Sequence, residues 1–152
     1  MLNNDVLRSI RYTLNLSDST LLEMLHDVEP SMDLPTLRSY LASSEDESFV
    51  MMPDELMVGF LDNLIISRRG PSPQAAPATE LPLTNNIILK KLRVAFELKE
   101  DDMHAILKAS EFPVSKPELR ALFRKFGHTN YRTCGDQLLR NFLKGLTLRV
   151  RD

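Results

Sequence analysis

The chain has 152 residues, 43% hydrophobic and 26% charged, with a formal net charge of −2. That length allows one medium domain or two very small ones, with apolar residues enough for a packed core. The charge excludes a uniformly basic nucleic-acid binder, no run approaches the ~18 apolar residues of a membrane helix, and the single Cys134 excludes an internal disulfide.

The opening Met1-Leu-Asn-Asn-Asp lacks the basic and apolar regions of a signal peptide, so a soluble, cytoplasmic protein is expected, with no membrane contact. A first helix is predicted from about Asn4 to Leu14, with Val6, Leu7, Ile10 and Leu14 on one side and Asn3 as its cap. A second follows Ser17 and carries Leu21, Leu22, Met24, Leu25 and Val28. Leu37, Tyr40 and Leu41 mark a third, and Leu56, Met57, Phe60, Leu61, Leu64 and Ile65 a fourth. Four of the nine prolines then fall between Gly70 and Pro82, which reads as an extended linker. Beyond it the pattern starts again. Asn85 stands as a cap before Ile88, Leu89, Leu92 and Phe96, and Met103 and Ile106 mark a sixth helix. Ser115-Lys-Pro-Glu118 is a capping-box start for a seventh, with Leu119, Leu122 and Phe123 as its stripe. Leu138, Leu139, Phe142, Leu143 and Leu146 define an eighth. No stretch alternates as a strand would, so the class is all-α.

The return of the pattern is a duplication. A shift of 82 residues aligns 3–69 with 85–151 without a gap, and 16 of the 67 pairs are identical, among them Asn3, Asn4, Arg11, Arg38, Asp54 and Phe60. The chain is therefore expected to be two tandem four-helix modules, 1–70 and 83–152, joined by the linker 71–82. The copies differ sharply in charge. Residues 1–70 hold 5 Lys/Arg and 12 Asp/Glu, net −7; residues 83–152 hold 14 and 8, net +6. Such a split marks an anion-binding surface, mutual attraction of the modules, or plain solvated faces.

The run Tyr131-Arg-Thr-Cys-Gly-Asp-Gln-Leu-Leu-Arg-Asn-Phe-Leu-Lys-Gly-Leu146, the Asn-Asn-x-x-Leu openings and Ser115-Lys-Pro-Glu-Leu-Arg120 resemble the YehS-like family of bacterial proteins. That family is itself a tandem duplication of unknown function. The resemblance implies the fold and a cytoplasmic location, and no activity. Copy one departs from the motif, with Phe49-Val-Met-Met-Pro-Asp in its place, so any function the motif carries is expected in copy two.

The candidate binding residues are Arg124, His128, Tyr131, Arg132, Asp136, Arg140, Asn141 and Lys144. Gln137, Arg140, Asn141 and Lys144 fall on one face of the eighth helix, where cations suit phosphates, and Tyr131 suits stacking on a base. The sixth and seventh helices loosely resemble a helix-turn-helix with an overlong turn. Arg38 with Asp54, and Arg120 with Asp136, recur at one separation and are expected as structural ion pairs. Cys134 with His128 six residues away suggests a nucleophile, but Met52 at the matching site of copy one suggests apolar bulk instead. His26, His104 and His128 lack mutual ligand spacing, and no HExxH, P-loop, GxGxxG or paired-cysteine motif occurs; no metal or other cofactor is expected. The expected function is a non-enzymatic interaction module with a protein partner or self-association. A regulator that binds nucleic acid through copy two is the alternative.

Overall fold

A computed structural model describes residues 1–71, 79 and 81–151. Among these, eight helices occur in chain order: α1 (Asn3–Leu14), α2 (Asp18–His26), α3 (Leu34–Leu41), α4 (Asp54–Arg69), α5 (Asn85–Ala95), α6 (Glu100–Ala109), α7 (Lys116–Leu122) and α8 (Asp136–Arg151). The fold is all-α, and the duplication is visible helix for helix. Most of the expected linker, 72–78 and 80, lies outside the described residues, as does 152.

Local chemistry sets the helix starts. Ser17 accepts from Thr20 N at 3.1 Å to open α2, and Asp33 from Thr36 N at 2.9 Å to open α3. Ser115 and Glu118 close a reciprocal capping box at α7. Asn3 and Asn85 are not the caps the sequence suggested. Leu2 and Thr84 hold those positions, and Thr84 Oγ1 accepts from Ile87 N at 3.2 Å. The two asparagines have another use, described below.

The two copies do not form separate cores. The most extensive packing is between copies, α1 against α8 and α4 against α5. The 82-residue shift turns one of these contacts into the other, so the halves meet as subunits of an isologous dimer would. One cluster of buried side chains runs through both, from Leu7 and Phe60 to Leu89 and Phe142. Polar contacts follow the same crossing. Thr13 and Thr147 share a hydrogen bond of 2.6 Å, Lys91 pairs with Asp62 at 2.6 Å, and Arg68 and Arg151 donate to the carbonyls of Ala95 and Tyr12 at the ends of α5 and α1.

Within each copy the fourth helix lies on the second. Position 63 and its match 145 show two ways to make that contact. Asn63 Nδ2 donates to the Met24 carbonyl at 2.6 Å. In copy two the same carbonyl, that of Ile106, sits so close to α8 that a Cβ on Gly145 would stand 2.2 Å from its oxygen. Only glycine allows that approach of α6 and α8.

The ion pairs also differ from expectation. Arg38 does not pair with Asp54, nor Arg120 with Asp136, among the described residues. Arg38 reaches Asp18 at 4.0 Å, and Arg120 meets Glu100 at 2.7 Å. Asp18 and Glu100 match under the 82-residue shift, so the repeated arginine serves a repeated carboxylate at the second helix's start. The physical reason is that Asp54 and Asp136 are already engaged. Asp54 accepts from Asn3 Nδ2 at 2.8 Å and Leu83 N at 3.0 Å; Asp136 accepts from Asn85 Nδ2 at 2.8 Å and the Met1 nitrogen at 2.7 Å. Each carboxylate thus ties its own copy to the start of the other.

Candidate functional site

The loop between the third and fourth helices of each copy is held by the adjacent Asn-Asn pair. Asn4 Nδ2 donates to the carbonyls of Tyr40 and Val50 at 3.0 and 2.8 Å, and its Oδ1 accepts from Met52 N at 2.9 Å. Asn86 repeats all three bonds, to Leu122, Arg132 and Cys134, at 3.0, 2.8 and 2.8 Å. Asn3 and Asn85 add bonds to the Met52 and Cys134 carbonyls. An amide is the one uncharged side chain that offers two donors and an acceptor to three backbone groups at once. The frame fixes the loop's ends and leaves its outer residues free to vary.

They have varied. Copy one carries Ser43-Ser-Glu-Asp-Glu-Ser-Phe49; copy two carries Lys125-Phe-Gly-His-Thr-Asn-Tyr131. Beside the second loop lie two cavities. The first, of about 550 Å³, is open and walled by Arg93, Arg120, Arg124, Lys125 and His128 around Phe123, with Glu100 the one acid among the described residues. Arg93 lies over the Phe123 ring at 4.6 Å, and Arg120 is held by Glu100. Arg124 and Lys125 have no acidic partner among the described residues. His128 Nδ1 accepts from Asn130 N at 3.0 Å, which directs its other nitrogen outward as a donor. The second cavity, of about 580 Å³, shares Phe123, Arg124 and Lys125 with the first and adds Phe126 and Tyr131. Those two rings meet edge to face, centroids 5.4 Å apart.

The structure thus gathers five cationic or ionisable groups, Arg93, Arg120, Arg124, Lys125 and His128, with Tyr131 in the neighbouring cavity. It does not bring in the rest of the sequence-predicted set. Arg132 is paired with Glu118, Arg140 bonds Gln137 Oε1 at 3.1 Å, and Asn141 bonds the Gln137 carbonyl at 2.8 Å. Arg140, Asn141 and Lys144 lie along α8 and line neither cavity. Asp136 serves the interface described above. The Met1 nitrogen and then Asn85 hold its carboxyl below the usual range. The helix-turn-helix reading loses its cations too, since Lys116 and Arg120 on α7 fold back onto Asp101 and Glu100 of α6. Phe126 and Lys90 were missed. The signal for Phe126 was a phenylalanine off any helical stripe, where copy one has Ser44.

Cys134 is 2% exposed and Met52, its match, 3%. Burial pushes the Cys134 thiol up to about 11. At neutral pH roughly one part in ten thousand is thiolate. The expected result is that an aqueous disulfide reagent leaves the native protein unmodified at pH 7.5 and labels it fully after unfolding in denaturant. Native labelling at the rate of a free thiol would contradict this burial. Among the described residues no group of three or more His, Cys, Asp or Glu is placed to hold a metal ion.

A family model described as "Protein of unknown function (DUF1456)" matches residues 3–70 and again 85–152. The chain is 43% identical over 151 residues to an uncharacterised protein, YehS, of Escherichia coli, with 98% of this chain and 96% of that protein covered. No solved structure matches.

Proposed function

The chain belongs to the DUF1456 family, whose function is unknown, and on that premise we propose that it is a non-enzymatic interaction module whose second copy holds an anionic partner. The observation that carries this is the basic cavity at the α7–α8 loop, with Arg124 and Lys125 unpaired at its wall. The matching residues of copy one are Ala42 and Ser43, and the loop there carries Glu45, Asp46 and Glu47. The two copies keep one loop frame and reverse its charge. A frame retained under opposite chemistry supports a surface selected for what it meets. The proposed location is the cytoplasm, the reducing compartment that suits a lone thiol. No helix among the described residues is long and apolar enough to cross a membrane.

The test is a nuclear magnetic resonance titration of the whole chain with inorganic polyphosphate. Amide shifts are expected at Arg120, Arg124, Lys125 and His128, with Arg38, Ala42 and Asp46 unmoved. Lys125→Glu is expected to abolish them while leaving the melting temperature within a few degrees, as an exposed substitution should. Shifts spread evenly over both copies would overturn the reading.

A further inference from the structure

The groove between α5 and the α7–α8 loop has a counterpart in copy one, and the two have been treated in opposite ways. In copy one Arg8 crosses it. Its guanidinium donates to the Ala42 carbonyl at 2.8 Å and pairs with Asp5 at 2.6 Å. In copy two Lys90 stands for Arg8 and Ile87 for Asp5, and neither bridging contact is made. The groove there has a volume of about 580 Å³, and among the described residues no acidic one lines its wall. At its rim Phe126 is 82% exposed on the loop, with Tyr131 edge-on beside it. Phe126 is the most exposed of the large hydrophobic side chains, and it lies outside the buried core.

The charge excess of copy two is not spent between the copies. Among the described residues Lys91 with Asp62 is the one ion pair across the interface that follows the split, while Arg69 with Glu97 and the Met1 nitrogen with Asp136 run against it. The surplus cations therefore face outward. Arg124 and Lys125 line both the groove and the basic cavity, so the two adjoin.

We propose that this groove binds single-stranded nucleic acid, with phosphates on Lys90, Arg124 and Lys125 and bases stacked on Phe126 and Tyr131. The proposal rests on the anionic-partner reading and names the partner. A single strand offers a phosphate and a π face at every nucleotide, which is the pairing of chemistries this surface presents. A duplex keeps its bases stacked on each other, out of reach of an exposed ring on a loop. The acidic first copy, net −7, repels a long polyanion and limits the footprint to a few nucleotides.

The experiment is fluorescence anisotropy of the full chain with a labelled uridine oligonucleotide of ~12 nucleotides, a length suited to a small stacking surface. Binding is expected at about 50 mM salt and should weaken steeply as salt rises. Arg124→Ala with Lys125→Ala should lower the salt slope by about 1.4, two phosphate contacts' worth for a single strand. Phe126→Ala should weaken binding about ten-fold with the slope unchanged, since it removes stacking and no charge. Its melting temperature should stay within a few degrees, because the ring is exposed and loses only its edge contact with Tyr131. Equal affinity of Phe126→Ala and the native chain, or a duplex bound as tightly as the strand, would overturn the proposal. If the oligonucleotide fails while a glutamate-rich peptide shifts Arg124 and Lys125, the nucleic-acid assignment falls and the anionic surface stands. If polyphosphate fails as well, both fall.

Discussion

Replacing Asn86 by leucine is expected to destabilise the protein by about 3 kcal/mol or more and to lower its thermal midpoint by roughly 10 °C. The side chain is 7% exposed and makes three hydrogen bonds to backbone groups that no other residue satisfies. Leucine fills similar volume but leaves the Leu122 and Arg132 carbonyls and the Cys134 N–H without partners. Each orphaned buried group costs about 1–3 kcal/mol, against a total stability of about 5–15 kcal/mol for a domain. Asn4→Leu should behave alike, since Asn4 holds Tyr40, Val50 and Met52 in the same way. Asn85→Leu is the contrast. That residue is only half buried, and water replaces what its side chain gives up, so a loss near 1 kcal/mol is expected. Asn86→Asp keeps the acceptor for Cys134 N but sets a carboxylate against two carbonyl oxygens, and should be at least as damaging as leucine. Chemical denaturation of the variants checks the order. A loss below 1 kcal/mol for Asn86→Leu would mean that the loop rearranges without its clamp, and the loop frame would lose its basis.

The sequence made the helices, their order and the duplication readable, because amphipathic stripes and an ungapped repeat are local signals. The fourth helices were the plainest: Phe60 and Phe142 recur, and both are fully buried. What it did not show is where polar side chains point. Asn3 and Asn85 sit where caps belong, yet they and their neighbours bond a loop about 50 residues away. The repeat of Arg38 and Asp54 in copy two was a true sign of shared structure. It could not tell that each arginine turns to the second helix while each aspartate turns to the other copy's first residues. Pairing from recurrence alone assumes that two conserved groups answer each other. Here both are conserved, and each answers a third group. The basic site was half legible for the same reason. Charge density singled out Arg124, His128 and Tyr131, but a helical-face argument added Arg140 and Lys144, which the fold sends along α8 away from both cavities. Lys90 escaped because its meaning lies in the contrast with Arg8, whose bridging bonds exist only in three dimensions.

Expressed separately, residues 1–70 and residues 83–152 are each expected to fail to fold, and to recover the native helicity only when mixed. A chain of about 70 residues is already near the lower limit for an independent core. Each half here would also leave bare the surfaces that its partner covers: α1 and α4 in one, α5 and α8 in the other. Those helices carry the largest buried side chains of the protein, including Leu7, Leu61 and Leu89. Within a copy the first and fourth helices touch little, so α1 without α8 and α5 without α4 have few apolar neighbours to replace them. At about 25 cal/mol per Å² of apolar surface, losing several buried leucines exceeds the whole stability of so small a unit. The halves should still recognise each other, because the crossing contacts of α1 with α8 and α4 with α5 need no covalent link. Circular dichroism of each half alone should report a largely unfolded chain, and an equimolar mixture should regain cooperative melting at a midpoint that rises with concentration, as for any obligate dimer. Two halves that each melt cooperatively by themselves, at a midpoint independent of concentration, would show that the copies are autonomous domains and that the single core described above is only a contact between them.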